Sequence, residues 1–292
     1  MFYFLQSSYS YSTFFHRNLR MLFLSMCLCC LSYDLLNIIM KAHHLSLSLL
    51  FTVPCDLLLP KPLYIALHLP TIFVLFASQF MQFSLIVERW AAMIFVRNYE
   101  SSYRNLGPAL IGASLMITAC ILLVIYHGEN FDGPHINGRW FSIKDVARTN
   151  LVLMSLLVMN FIGLVLTVVL HFLRPKRKIG MSLSSKFQAN ENSVVTNFLF
   201  LISTMQFTAL FFSQAILLYV RIFQSKNPLS TAYKENADLF NYYTLALPIL
   251  SMFYLTKVKR QRSTGIRNII NIRAIGHDGW MNYAAIVQKQ WQ

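Results

Sequence analysis

Charge is what this sequence has least of. Only 12% of its 292 residues are Asp, Glu, Lys or Arg, about half the share of an ordinary soluble domain. So few charges do not cover the surface of a water-soluble globule of this length. Acidic groups are the scarcest, with 11 Asp and Glu in the whole chain. The 10 glycines and 9 prolines are too few for a collagen or a low-complexity disordered chain, and a coiled coil needs far more charge than this. The 5 cysteines give no disulfide framework, because Cys27, Cys29, Cys30 and Cys120 lie inside apolar runs and only Cys55 falls between them. No Asn-x-Ser/Thr sequon occurs, and there is no G-x-S-x-G, no H-E-x-x-H and no phosphate loop. The stretch 1–15 is aromatic and serine-rich but lacks the basic start of a secretory signal.

Apolar side chains take the place of charge. The chain is 56% hydrophobic, with 24 Phe and 14 Tyr, and its mean hydropathy is +0.50. That composition specifies an integral membrane protein. A helix needs about 20 apolar residues to cross the hydrocarbon, and runs of that kind occur near 19–40, 64–87, 107–126, 151–173, 195–220 and 239–255. The last is the shortest and contains Pro248. The expected fold is all-α, a polytopic transmembrane helix bundle with six spans. It divides into an N-terminal segment 1–18, a membrane domain 19–255 and a basic tail 256–292.

Lys and Arg orient such a bundle, because they are retained on the cytoplasmic side. With six spans, 17 of the 25 basic residues share the side of the two termini and of segments 88–106 and 174–194, leaving 8 on the other. Both termini are therefore expected in the cytoplasm. The net charge of +14 suits loops and a tail beside anionic inner-leaflet lipid, and no nucleic-acid partner is expected.

Polar residues inside the spans are expensive in lipid and are expected to face other helices or a wet cavity. Asp34 and Asn37, and likewise Gln79 and Gln82, are three apart and so share a helical face. Asn160, and Gln206 with Gln214, lie in later spans, and His68 and Tyr242 lie in outer halves as candidate ligand-pocket residues. Interhelical glue is the plain reading of this set, and a ligand cavity formed by some of them is the sharper one. Cys27-x-Cys29-Cys30 contains a C-x-x-C spacing without a histidine or basic neighbour to favour thiolate, so buried apolar thiols are expected. No metal, cofactor or catalytic group is expected either.

At the cytoplasmic end of the second run stands Glu88-Arg89. Adjacent acid and guanidinium can form a lock that opens to admit a cytoplasmic partner, or can simply mark the membrane boundary. Further on, Arg174, Lys176, Arg177 and Lys178 precede Leu183-Ser184-Ser185-Lys186-Phe187-Gln188, where a serine can cap a helix entering the membrane.

Taken in order, Phe15-His16-Arg17-Asn18-Leu19, Glu88-Arg89 followed by Tyr99-Glu100, the segment Leu183 to Asn192, and Gly276 to Tyr283 with Trp291 resemble the nematode serpentine chemoreceptors of the Sra superfamily. The resemblance covers roughly residues 14–292 and is strongest to the alpha/beta (Srab) class, with Sra, Srb and Sre as near alternatives. It implies a seven-helix G-protein-coupled receptor for environmental chemicals in sensory neurons. In that family the Phe-His-x-Asn-Leu element follows the first helix, so the resemblance implies a receptor-type bundle lacking its first helix. The six spans then stand for the second to the seventh, in agreement with the charge count.

The function expected is a chemosensory G-protein-coupled receptor in the plasma membrane. It would take a small-molecule ligand from outside and a heterotrimeric G protein at Glu88 and Arg89, and it would not be an enzyme. A membrane transporter, a ligand-gated chemosensory channel and a truncated, non-signalling receptor product are the alternatives.

Overall fold

A computed structural model describes residues 16–50, 58–95, 103, 105–131, 146–173, 183–223, 233, 238–270 and short pieces between 280 and 288. Six long helices carry the architecture: α1 (Arg17–Leu50), α2 (Lys61–Ile94), α3 (Leu106–Tyr126), α4 (Val146–Phe172), α5 (Leu183–Phe223) and α6 (Phe240–Ile270). Helices are the natural solution for such runs, since each satisfies its own backbone polar groups where no water is available. Hydroxyls inside them do the same. Thr71, Ser114, Thr118, Thr167 and Ser251 each donate to the carbonyl four residues back, at 2.6 to 2.8 Å.

Among the described residues, five helical segments are long and apolar enough to cross a membrane: α1, α2, α3, Asn150–Phe172 of α4 and Ser193–Leu217 of α5. The chain is therefore a multi-pass membrane protein. α6 is not among these segments, which differs from the crossing expected over 239–255. Asn241, Thr244, Pro248 and Ser251 dilute its apolar part, and the helix runs on without a break through Lys257, Lys259 and Arg260. The expected boundary between membrane domain and tail at 255 thus falls inside one helix. α5 begins at Leu183, ahead of its apolar segment Ser193–Leu217, which lies close to the span expected over 195–220. The N-terminal segment 1–15 and the basic loop 174–182 lie outside the described residues.

α2 is the central helix. Half of its most apolar window is buried, against 17% for α3, and it packs against α1, α3, α4 and α5, while α6 closes onto α1 and α5. The main core gathers Leu22, Met26, Cys27, Cys30, Met81, Leu85, Leu199, Ile202 and Leu247 between α1, α2, α5 and α6. A smaller one joins Ile72, Phe76, Ile125 and Leu156 of α2, α3 and α4. Cys27 and Cys30 are free, buried thiols inside the first of these. Large apolar side chains such as Leu123, Leu151 and Phe172 point outward on α3 and α4, as a surface facing hydrocarbon requires.

Candidate functional site

Three polar layers cross the bundle. At one end, close to the C-terminus of α2, Glu88 and Arg89 are both buried, 0% and 6% exposed. Their side chains form a two-pronged pair: Arg89 Nε donates to Glu88 Oε2 and Arg89 Nη2 donates to Glu88 Oε1, each at 2.5 Å. A fork of this kind is directional as well as strong. Burial separates it from the exposed boundary charges that end many helices.

The start of α1 meets the start of α3 beside it. Asn18 is fully buried and its Nδ2 donates to the carbonyl of Tyr103 at 2.6 Å. Gly107 lies so close that a Cβ there would sit 2.8 Å from Asn18 Cα. The Tyr103 ring stacks on Phe95, just past the end of α2, at 5.0 Å between centroids.

In the middle layer Asn160 Nδ2 of α4 donates to Gln79 Oε1 of α2 at 3.0 Å. Gln82 Nε2 donates to Ser203 Oγ of α5 at 2.7 Å. Tyr243 Oη of α6 donates to Gln206 Oε1 of α5 at 3.2 Å. Gln79 and Gln82 are both buried, but they serve different neighbours, α4 and α5.

The layer at the opposite end has two parts. On one side α1 and α6 run antiparallel. Thr244 Oγ1 donates to Asp34 Oδ1 at 2.6 Å, Asn37 Nδ2 donates to Asn241 Oδ1 at 3.3 Å, and Tyr33 Oη donates to Asp238 Oδ2 at 2.8 Å. Asp34 and Asn37 therefore act as contacts between helices. On the other side His68, fully buried, hydrogen-bonds to the Tyr126 hydroxyl and stacks on Tyr64 at 4.9 Å. Phe131 closes this cluster, stacking on Tyr126 at 5.5 Å. Its backbone sits at φ 52°, a left-handed conformation that costs a bulky residue on the order of 1–3 kcal/mol.

Tyr242 does not join His68. It is 68% exposed, while Tyr243 is buried at 3%, because neighbouring residues on a helix point about 100° apart. The structure thus places Tyr242, expected as a pocket residue, on the outside of the bundle, and the hydroxyl that reaches the interior is that of Tyr243. Sequence reading also missed Tyr64, Tyr126 and Phe131, which are ordinary aromatics until the fold gathers them. It missed Asn241 and Thr244 as well, although their spacing of three repeats that of Asp34 and Asn37.

The fold is a polytopic helical membrane bundle, with a buried carboxylate–arginine fork at one end and polar layers through its core. The family model of the serpentine type 7TM GPCR receptor class ab chemoreceptors matches residues 1–292, and the chain belongs to that family. It is 27% identical over 294 residues to serpentine receptor class beta-17 of Caenorhabditis elegans, covering 98% of this chain and 81% of that receptor. Serpentine receptor class beta-13 and class beta-15 of the same organism are 25% and 26% identical, covering 96% of this chain and 84% and 85% of theirs. No solved structure matches the chain. The family is one of receptors and not of enzymes.

Proposed function

We propose that this chain senses an environmental small molecule and passes the signal to a heterotrimeric G protein, with Glu88 and Arg89 as the switch. The observation that carries this reading is the buried fork between them at the inner end of the central helix. In the resting bundle Glu88 occupies the guanidinium. A ligand that favours a second packing of the helices releases it toward the cytoplasmic partner. The ligand would enter at the outer end and engage His68 with Tyr64 and Tyr126, displacing Phe131, whose strained backbone makes it the easiest ring to move.

The receptor would sit in the plasma membrane of sensory neurons with both termini in the cytoplasm. Its basic segments, 174–186 and 257–262, would lie against anionic lipid, each Lys or Arg near the surface contributing about 1 kcal/mol. No nucleic acid, cofactor or enzymatic activity belongs to this reading.

Basal nucleotide exchange on a reconstituted G protein tests it without knowledge of the ligand. Glu88→Gln should raise the basal rate by freeing Arg89, and Arg89→Ala should abolish coupling. Exchange equal to that of the natural chain for both variants, at matched amounts of folded receptor, would return the pair to a purely structural role.

A further inference from the structure

α2, α4 and α5 enclose a small space between Gln82, Asn160, Ser203 and Gln206, with Phe83 and Gly163 on its apolar side, of about 10 Å³. Gln82 and Gln206 are 3% and 1% exposed. Each uses one end of its amide, Gln82 Nε2 toward Ser203 and Gln206 Oε1 toward Tyr243. The other ends, Gln82 Oε1 and Gln206 Nε2, are buried without a hydrogen-bond partner. One is an acceptor and the other a donor, and leaving such groups unmade in an apolar interior is costly.

The volume and the chemistry point to the same occupant. About 10–15 Å³ is what one water molecule needs. A cation would face the amide hydrogens of Gln206, an anion would face the oxygen of Gln82, and an apolar group would satisfy neither. Only a molecule that donates and accepts at once meets both.

We propose that this space is a binding site for a single water, which donates to Gln82 Oε1 and accepts from Gln206 Nε2. Its second hydrogen finds Ser203 Oγ, on the wall of the same space. The water completes a polar pivot in the middle of the membrane. It ties α2 to α5 and, through Tyr243, ties both to α6, between the outer His68 cluster and the inner Glu88–Arg89 pair. The inference stands whether or not the chain couples to a G protein.

X-ray radiolytic footprinting of the full chain in lipid nanodiscs tests it. Hydroxyl radicals formed from a bound water oxidise the side chains beside it, whereas hydrocarbon supplies none. Phe83 lines the site, and Phe76, fully buried in the smaller apolar core, is the dry reference. Phe83 should be oxidised several times faster than Phe76. In the double variant Gln82→Met, Gln206→Met its rate should fall to that of Phe76. Integrity of this variant is read from continued protection of Cys27 and Cys30 against thiol labelling. Oxidation of Phe83 no faster than that of Phe76 in the natural sequence would overturn the proposal. So would a rate that the double substitution leaves unchanged in a folded variant.

Discussion

Replacing Arg89 by methionine removes one half of the buried fork and keeps most of the side-chain volume. Glu88, at 0% exposure, loses two charge-assisted bonds of 2.5 Å. Breaking a buried ion pair from one side costs about 3–5 kcal/mol, because a charge is left in a poorly solvated place, whereas an exposed pair contributes about 0.2–1 kcal/mol. Burial decides between these ranges, so the higher one applies. At roughly 2–4 °C per kcal/mol for a domain of this order, Arg89→Met should lower Tm by about 6–20 °C. Glu88→Gln should act in the same direction by leaving the guanidinium. The double variant should lose less than the two singles together, since neither charge then remains uncompensated. A thiol-reactive fluorophore can follow unfolding, because Cys27 and Cys30 are buried and free while exposed Cys120 sets the baseline. Single-variant shifts below about 2 °C that simply add would refute the reasoning, and would place the pair energetically with ordinary surface charges.

Gly107→Ala should force the start of α3 away from α1, since the new Cβ would fall 2.8 Å from the Asn18 backbone. Overpacking of this kind costs about 1–3 kcal/mol, and a Tm indistinguishable from that of the natural sequence would show that the two helices separate freely. The topology expected from the distribution of Lys and Arg predicts that an acceptor sequon placed within 127–149 is glycosylated, and that sequons appended to either terminus are not. Because α6 is not among the segments long and apolar enough to cross, modification of a C-terminal sequon alone would mean that α6 does not cross.

Sequence determined which segments of this protein enter the membrane wherever the signal is a property of each segment by itself. The apolar runs of α1 to α5 are legible because transfer into hydrocarbon adds up residue by residue along a helix. Polar residues such as Asp34 and Gln82 stood out for the same reason, as costs that needed a partner. The partners themselves were not legible. Whether Asp34 meets Thr244, or Gln82 meets Ser203, depends on which helices are neighbours and at what rotation, and no single segment carries that information. Tyr242 and Tyr243 differ only by helical phase, so the sequence offered two tyrosines and the packing of α6 on α5 chose one. The Glu88–Arg89 adjacency was visible, but its burial was not, and burial is what separates this fork from exposed charges at a helix end. Where α6 ends as a helix was not legible, because a basic stretch continues its apolar run without any break in the backbone. Sequence thus settled what must be hidden from water, while tertiary structure alone decided which groups are hidden against one another, because contact is a property of pairs of helices.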